Sequence, residues 1–268
     1  MNKTLVALLL AGLAAPPALA LTPEDALLEK LESSGKLDAA LDRAIERRIA
    51  REKQQREDEA KAQEAARQEA AQKIHPLGTT DRTYGPEHAK VSIIVMSDPE
   101  CPYCQRFAGA PEKAVDQSGG LANAAIRLFP LDFHGQPAID ASIAALCVAD
   151  QAGAKGYYAF FNGYLAATQG NGRGIPDSKA KPAKAVMDKL LKSSGVQDMA
   201  KLKTCQQDPA TMKRLEAEFN ASAEAGATGT PYVVLRNNDN GAVKILPGAV
   251  PVEMLVDEVR KLAADAKQ

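Results

Sequence analysis

Two thiols, in Cys101-Pro102-Tyr103-Cys104, hold the most chemistry of any stretch of this chain. The apolar run Val91-Ser92-Ile93-Ile94-Val95-Met96 precedes them and reads as a buried strand, while Gln105-Arg106-Phe107 follows and reads as the first turn of a helix. Across a helix start, cysteines at i and i+3 lie close enough to close a small disulfide ring. The first of them also meets unpaired backbone N–H groups and the positive end of the helix dipole, both of which stabilise a negative sulfur. A thiol so placed becomes a thiolate nucleophile. The spacing therefore predicts thiol–disulfide exchange, with Cys101 attacking and Cys104 resolving.

The N-terminus says where this chemistry would run. Lys3 supplies a positive start, Leu5 to Ala15 an apolar stretch and Ala18-Leu19-Ala20 a small-residue cleavage pattern, with polar Thr22-Pro23-Glu24-Asp25 directly after. That order is a secretory signal peptide cut after Ala20. A membrane anchor is the weaker reading, because the apolar run is short and broken by Pro16-Pro17. The expected compartment is oxidising and exported, the bacterial periplasm.

The chain has four cysteines, and the two outside the pair are Cys147 and Cys205. In an exported protein two such residues are more often bonded than free, so a structural disulfide is expected, with free thiols or a second redox pair as alternatives. A formal net charge of −1 gives no electrostatic case for nucleic acid or an anionic membrane. Zinc would need two further ligands beside Cys101 and Cys104. The three histidines, His75, His88 and His134, are not spaced to supply them, so no metal site is expected. Copper(I) held by the two soft thiolates is a reading of another class. His134, a lone loop histidine, reads as solvated, and the direction of the Glu100 carboxylate beside Cys101 is open.

Two textures divide the chain. From Thr22 to about Ile74 it is rich in Ala, Glu, Gln, Lys and Arg, without aromatic residues, and reads as helix. Thr22 suits the N-cap, Pro23 the first helical position, and Glu24 with Asp25 the dipole. Leu27, Leu28 and Leu31, then Leu37, Leu41, Ile45 and Ile49 after Gly35, form an apolar stripe at helical spacing. Such a stripe must be covered, by the rest of the chain or, the preferred reading, by copies of itself through residues 22–50. The charged stretch Arg51 to Lys73 reads as a helical spacer. The organisation expected is a leader over 1–20, a helical stalk and linker over 21–75 and a catalytic domain over 76–268.

The second texture is α/β. Strands are expected at Val91–Met96, Ala124–Phe129, Tyr232–Leu235 and Val243–Leu246, the last two joined by a tight turn at Asn237 to Gly241. Helices are expected over Cys104 to Val115, through most of an insertion at about 135–225, and after Pro251 with Leu255, Val259 and Leu262 inward. Strand, CxxC-led helix, strand, helical block, hairpin and final helix is the order of a thioredoxin fold with a helical insertion.

The segment Ser97-Asp98-Pro99-Glu100-Cys101-Pro102-Tyr103-Cys104-Gln105-Arg106-Phe107 resembles the active-site segment of the periplasmic DsbC and DsbG disulfide isomerases, and Gly229-Thr230-Pro231-Tyr232-Val233-Val234-Leu235 resembles their cis-proline loop. Cys147 and Cys205 resemble the structural pair of DsbC. The alanine-rich stalk replaces the β-rich dimerisation domain of that family and resembles ScsC-type proteins instead. The resemblance implies catalysis by Cys101 and Cys104, substrate contact at Thr230, Pro231, Pro102 and Tyr103, and no cofactor, since the cysteines carry the electrons. Its implied partners are disulfide-containing exported clients and a membrane redox protein, DsbD-like in preference to DsbB-like. An isomerase or reductase is the preferred reading. A DsbA-like oxidase is the alternative, and a holdase chaperone would need no cysteines at all.

Overall fold

The computed structural model describes residues 22–265, and the leader with its expected cleavage site after Ala20 lies outside the described residues. Within the described residues, 22–61 and 62–265 form two compact units. In the first, α1 (Pro23–Ser33) starts at a capping box in which Thr22 Oγ1 accepts from the Asp25 N–H and the Asp25 carboxylate accepts from the Thr22 N–H. Gly35, at φ 65°, separates α1 from α2 (Lys36–Ala71). The stripe residues Leu27, Leu28, Leu31, Leu37, Leu41, Ile45 and Ile49 are all exposed, by 37% to 60%.

The second unit begins ahead of the Pro76 expected from composition. Ala71, the last residue of α2, and Ile74 are buried among Ile94, Met96, Tyr232 and Val234, and Gln68 Nε2 donates to the Val243 carbonyl at 2.7 Å. Alanine leaves little pattern in a charged helix, but it lets the helix lie flush on the sheet.

The sheet contains β1 (Thr83–Tyr84), β2 (Val91–Ser97), β3 (Ala122–Leu128), β4 (Tyr232–Asn237) and β5 (Val243–Leu246) in the order β1-β3-β2-β4-β5. β2 and β3 run parallel with Ser97 opposite Leu128, and β4 runs antiparallel to β2 with Met96 opposite Tyr232. Alternate residues of β2 face two cores. Val91, Ile93 and Val95 meet the larger one, and Ile94 and Met96 meet the face on which α2 ends. β1, too short to show a period, was not expected.

The helix expected over Cys104 to Val115 is two helices, α3 (Pro102–Phe107) and α4 (Ala110–Gln117). Pro111 lacks an N–H and would clash with the carbonyl of Phe107 in a continuous helix, and Gly109 at φ 71° takes up the bend. A 3-10 turn (Asp132–His134) leads into α5 (Gly135–Ala167), followed by α6 (Ala183–Ser193), α7 (Met199–Gln207) and α8 (Pro209–Glu224). Cys147 of α5 and Cys205 of α7 are bonded, with Cα atoms 5.8 Å apart. α9 (Val252–Ala264), opened by Pro251, buries Leu255, Val259 and Leu262.

Candidate active site

Three connections meet at one edge of the sheet. The turn after β2 carries the cysteine pair, the turn after β3 carries His134, and the segment before β4 carries Thr230 and Pro231. Cys101 is the N-cap of α3, in extended conformation at φ −80° and ψ 122°, and Pro102 occupies the first turn, where a missing N–H costs nothing. Both cysteines are free thiols, and Cys101 is 3% exposed. Its sulfur lies 3.3 Å from the carbonyl oxygen of Thr230, whose bond to Pro231 is cis.

This placement separates the two thiols. The Cys104 thiol, hydrogen-bonded to the Cys101 sulfur, is the main force pulling Cys101 down to about 6, against the opposing effect of burial. Thr230 and the backbone N–H groups of Cys104 and Tyr103 add to the lowering. Burial, together with the hydrogen bond to Cys101 and its charge, pushes Cys104 well above the ordinary thiol range. Cys101 is thus the more acidic thiol of the pair, and Cys104 is held protonated beside it.

Two buried carboxylates fix the turn before Cys101. Asp98 accepts from the N–H groups of Glu100 and Leu131, each at 2.7 Å, and its Oδ2 lies 2.7 Å from His134 Nδ1. Burial raises the Asp98 carboxyl despite these contacts. His134 is buried rather than solvated, because the 3-10 turn folds its ring onto Asp98. The Glu100 carboxylate is buried and fully engaged: Oε1 accepts from Tyr164 Oη at 2.7 Å and Thr168 Oγ1 at 2.6 Å, and Oε2 from the Gly174 N–H at 3.1 Å. Its carbonyl accepts from the Asn171 N–H at 2.7 Å. Gly170, Asn171, Gly172 and Gly174, all at positive φ, thereby form a compact loop against the redox turn. A Cβ on Gly172 would stand 2.5 Å from the His134 carbonyl oxygen.

Of the residues singled out in the sequence, Cys101, Pro102, Tyr103, Cys104, Thr230 and Pro231 gather at this edge. Tyr103 is exposed, with the Arg106 guanidinium 4.3 Å from its ring centre. Cys147 and Cys205 join α5 to α7 and take no part in the site. Sequence reasoning missed Asp98 as an anchor and Glu100 as a clamp. The signal available was two carboxylates wedged between an apolar strand and a CxxC. A cavity lined by Asp81, Arg82, Arg127, Asp150, Arg214 and Glu218 contains neither redox cysteine, and each of its arginines is paired with a carboxylate.

The thioredoxin family pattern matches residues 78–241, which include the cysteine pair and the cis-proline. The chain belongs to the thioredoxin family. DsbA2 of Pseudomonas aeruginosa is similar in structure at a TM-score of 0.58 and 26% identity, covering 72% of this chain and 100% of that one. The catalytic domain of Proteus mirabilis ScsC is similar at 0.53 and 24% identity, covering 72% and 94%. A linker-deleted form of the same ScsC covers 94% of this chain and 100% of its own, at 0.58 and 21% identity. No curated protein sequence matches the chain. This thioredoxin-family chain, with its DsbA- and ScsC-type neighbours, is a thiol–disulfide oxidoreductase.

Proposed function

We propose that the protein reshuffles or reduces disulfides of exported proteins in the periplasm, as a homo-oligomer assembled through residues 22–50. The observation that carries the exchange chemistry is the Cys101 sulfur, lowered to about 6 at a helix N-terminus and set beside the Thr230 carbonyl. An extended client strand lying along Thr230 would present its disulfide to Cys101, which takes one client sulfur into a mixed disulfide that Cys104 resolves. Thr230, Pro231, Pro102 and Tyr103 are the substrate contacts of this reading, and a DsbD-like membrane protein is its source of electrons.

The exposed stripe of the first unit supports the oligomer. Seven large apolar side chains, Leu27, Leu28, Leu31, Leu37, Leu41, Ile45 and Ile49, face solvent along α1 and α2, and association is the ordinary way to cover such a surface. Several copies could face one misfolded client, which an isomerase requires.

A second reading, a DsbA-like oxidase reset by a DsbB-like partner, has its own support. A stabilised thiolate favours the reduced form of the pair and so makes the disulfide form oxidising, and DsbA2 is among the structural neighbours.

The test is refolding of a scrambled multi-disulfide protein by the full chain and by Leu41→Glu, Ile45→Glu, with the mass of each measured by light scattering. The isomerase reading expects an oligomer that restores activity and a monomeric variant that does not. Failure of both to reshuffle, with rapid oxidation of a reduced peptide, would select the oxidase. A truncation made for the same purpose has to start no later than Ala62, since Ala71 and Ile74 belong to the core of the second unit.

A further inference from the structure

Among the described residues from Ala62 on, three large apolar side chains are exposed: Tyr103, Phe133 and Met254. Two of these three stand at the edge that carries the redox pair. Because β2 and β3 are parallel, the turns leading to Cys101 and to Phe133 leave the sheet side by side. Because β4 is antiparallel to β2, the Thr230–Pro231 segment enters at the same edge. Ligands of such sheets lie outside the carboxyl ends of the parallel strands.

Phe133 is held in place by a built device. The Asp98 carboxylate accepts the Leu131 N–H and meets the His134 ring, and the His134 N–H closes the turn onto the Leu131 carbonyl at 2.9 Å. The Phe133 ring packs edge-on to His134, centroids 4.5 Å apart, and Gly172 backs the His134 carbonyl. The turn is clamped on both sides, yet Phe133 is 78% exposed. A ring left in water forgoes the gain of burial, and it has no hydrogen-bonding group to offset that loss in solvent.

We propose that Phe133, with Tyr103, docks an apolar side chain flanking the reactive cysteine of an unfolded client segment, and so sets which disulfides Cys101 attacks. The proposal rests on the exchange chemistry proposed above. In that chemistry the Cys101 thiolate attacks one client sulfur, the Cys101–client bond forms as the client disulfide breaks, and the other client sulfur leaves as a thiolate. Cys104, after losing its proton to solvent, attacks the Cys101 sulfur and releases the client's second thiolate. The client gains two electrons and the pair becomes a disulfide. While the mixed disulfide lasts, the residues next to the client cysteine lie over this edge, where the phenyl and phenol rings reward apolar contact.

The test uses the reduced full-length protein and its rates of mixed-disulfide formation with two disulfide-bonded peptides that differ only in a leucine or a serine beside the cysteine. The native protein is expected to favour the leucine peptide about fivefold to tenfold. Phe133→Ser is expected to bring that ratio close to one, and Phe133→Leu to keep most of it. A native ratio of one, or a ratio that Phe133→Ser leaves intact, overturns the proposal. So does a change of mass in Phe133→Ser with an unchanged ratio, which would assign the ring to contact with a second copy. Failure of the native protein to react even with glutathione disulfide would instead remove the exchange reading beneath it.

Discussion

Glu100 stands next to Cys101, yet its carboxylate is taken up in the interior, where it accepts the hydroxyl of Tyr164 at 2.7 Å. The acid is fully buried, and burial, with the hydrogen bond and charge of Glu100, pushes the Tyr164 phenol upward. The Glu100 side chain and carbonyl thereby hold the glycine loop to the turn of the cysteine pair.

Glu100→Ala is expected to lose about 3 kcal/mol or more of stability, since it strands the Tyr164 and Thr168 hydroxyls and the Gly174 N–H in the interior. Glu100→Gln, which keeps one acceptor oxygen, is expected to cost less. Urea denaturation of the oxidised proteins checks both, and a loss below about 1 kcal/mol in the alanine variant would mean that water replaces the carboxylate.

Removing Cys104 tests how Cys101 is tuned. The Cys104 thiol is the largest cause of the lowered Cys101 value of about 6, so Cys104→Ala is expected to move the titration of Cys101 upward. The ultraviolet absorbance of the thiolate, followed against pH, reads the shift directly. An unmoved titration would transfer the effect to the helix N-terminus and Thr230.

The same lowered value makes the stability of the reduced protein depend on pH. For a depressed group the contribution is complete above the unfolded thiol's value of 9.0 and is lost as the pH falls through about 6. Reduced protein is therefore expected to gain stability relative to oxidised protein between those limits as pH rises. Cys104, whose shift is upward, opposes the trend at the alkaline end. Denaturation of both redox forms across the range is the measurement, and a reduced form that gains no stability relative to the oxidised form as the pH rises from about 6 to 9.0 would contradict the assignment.

The bond between Cys147 and Cys205 closes a loop with a sequence separation of 58. Replacing both by alanine is expected to cost about 4 kcal/mol in the chain-entropy account. The Cys101 titration should keep its place, since the bridge lies outside the site. Loss of exchange activity at a temperature where the variant is fully folded would give the bridge a part in the chemistry.

Much of this architecture is legible in local signals. The apolar run at Val91, the capping box at Thr22, the break at Gly35 and the proline opening at Pro251 each report the residues' own preferences, and the elements start where those preferences put them. Most of what escaped depends on partners distant in sequence, the α3–α4 break being a local exception. The α3–α4 break needs the clash between Pro111 and a helical turn to outweigh a helix-favouring stretch. The start of the second unit depends on Ala71 meeting Tyr232 and Val234 across the sheet face. His134 looked solvated because nothing near it in sequence could bury it, and its partner Asp98 is 36 residues away. In the site the cysteines were readable from residue type and spacing and Thr230–Pro231 from the family resemblance, whereas the two anchoring carboxylates were not, since a carboxylate's direction is a tertiary fact.

Cys101 shows 3% of its surface to solvent, and in the proposed exchange reaction such a recess would act as a filter on the folding state of a client. A disulfide packed inside a finished protein cannot be carried down to the sulfur without opening the structure around it, while one on a loose chain can. Cys101 would then stay ionised in the presence of completed proteins and still leave them alone, a discrimination between folded and unfolded chains made by depth.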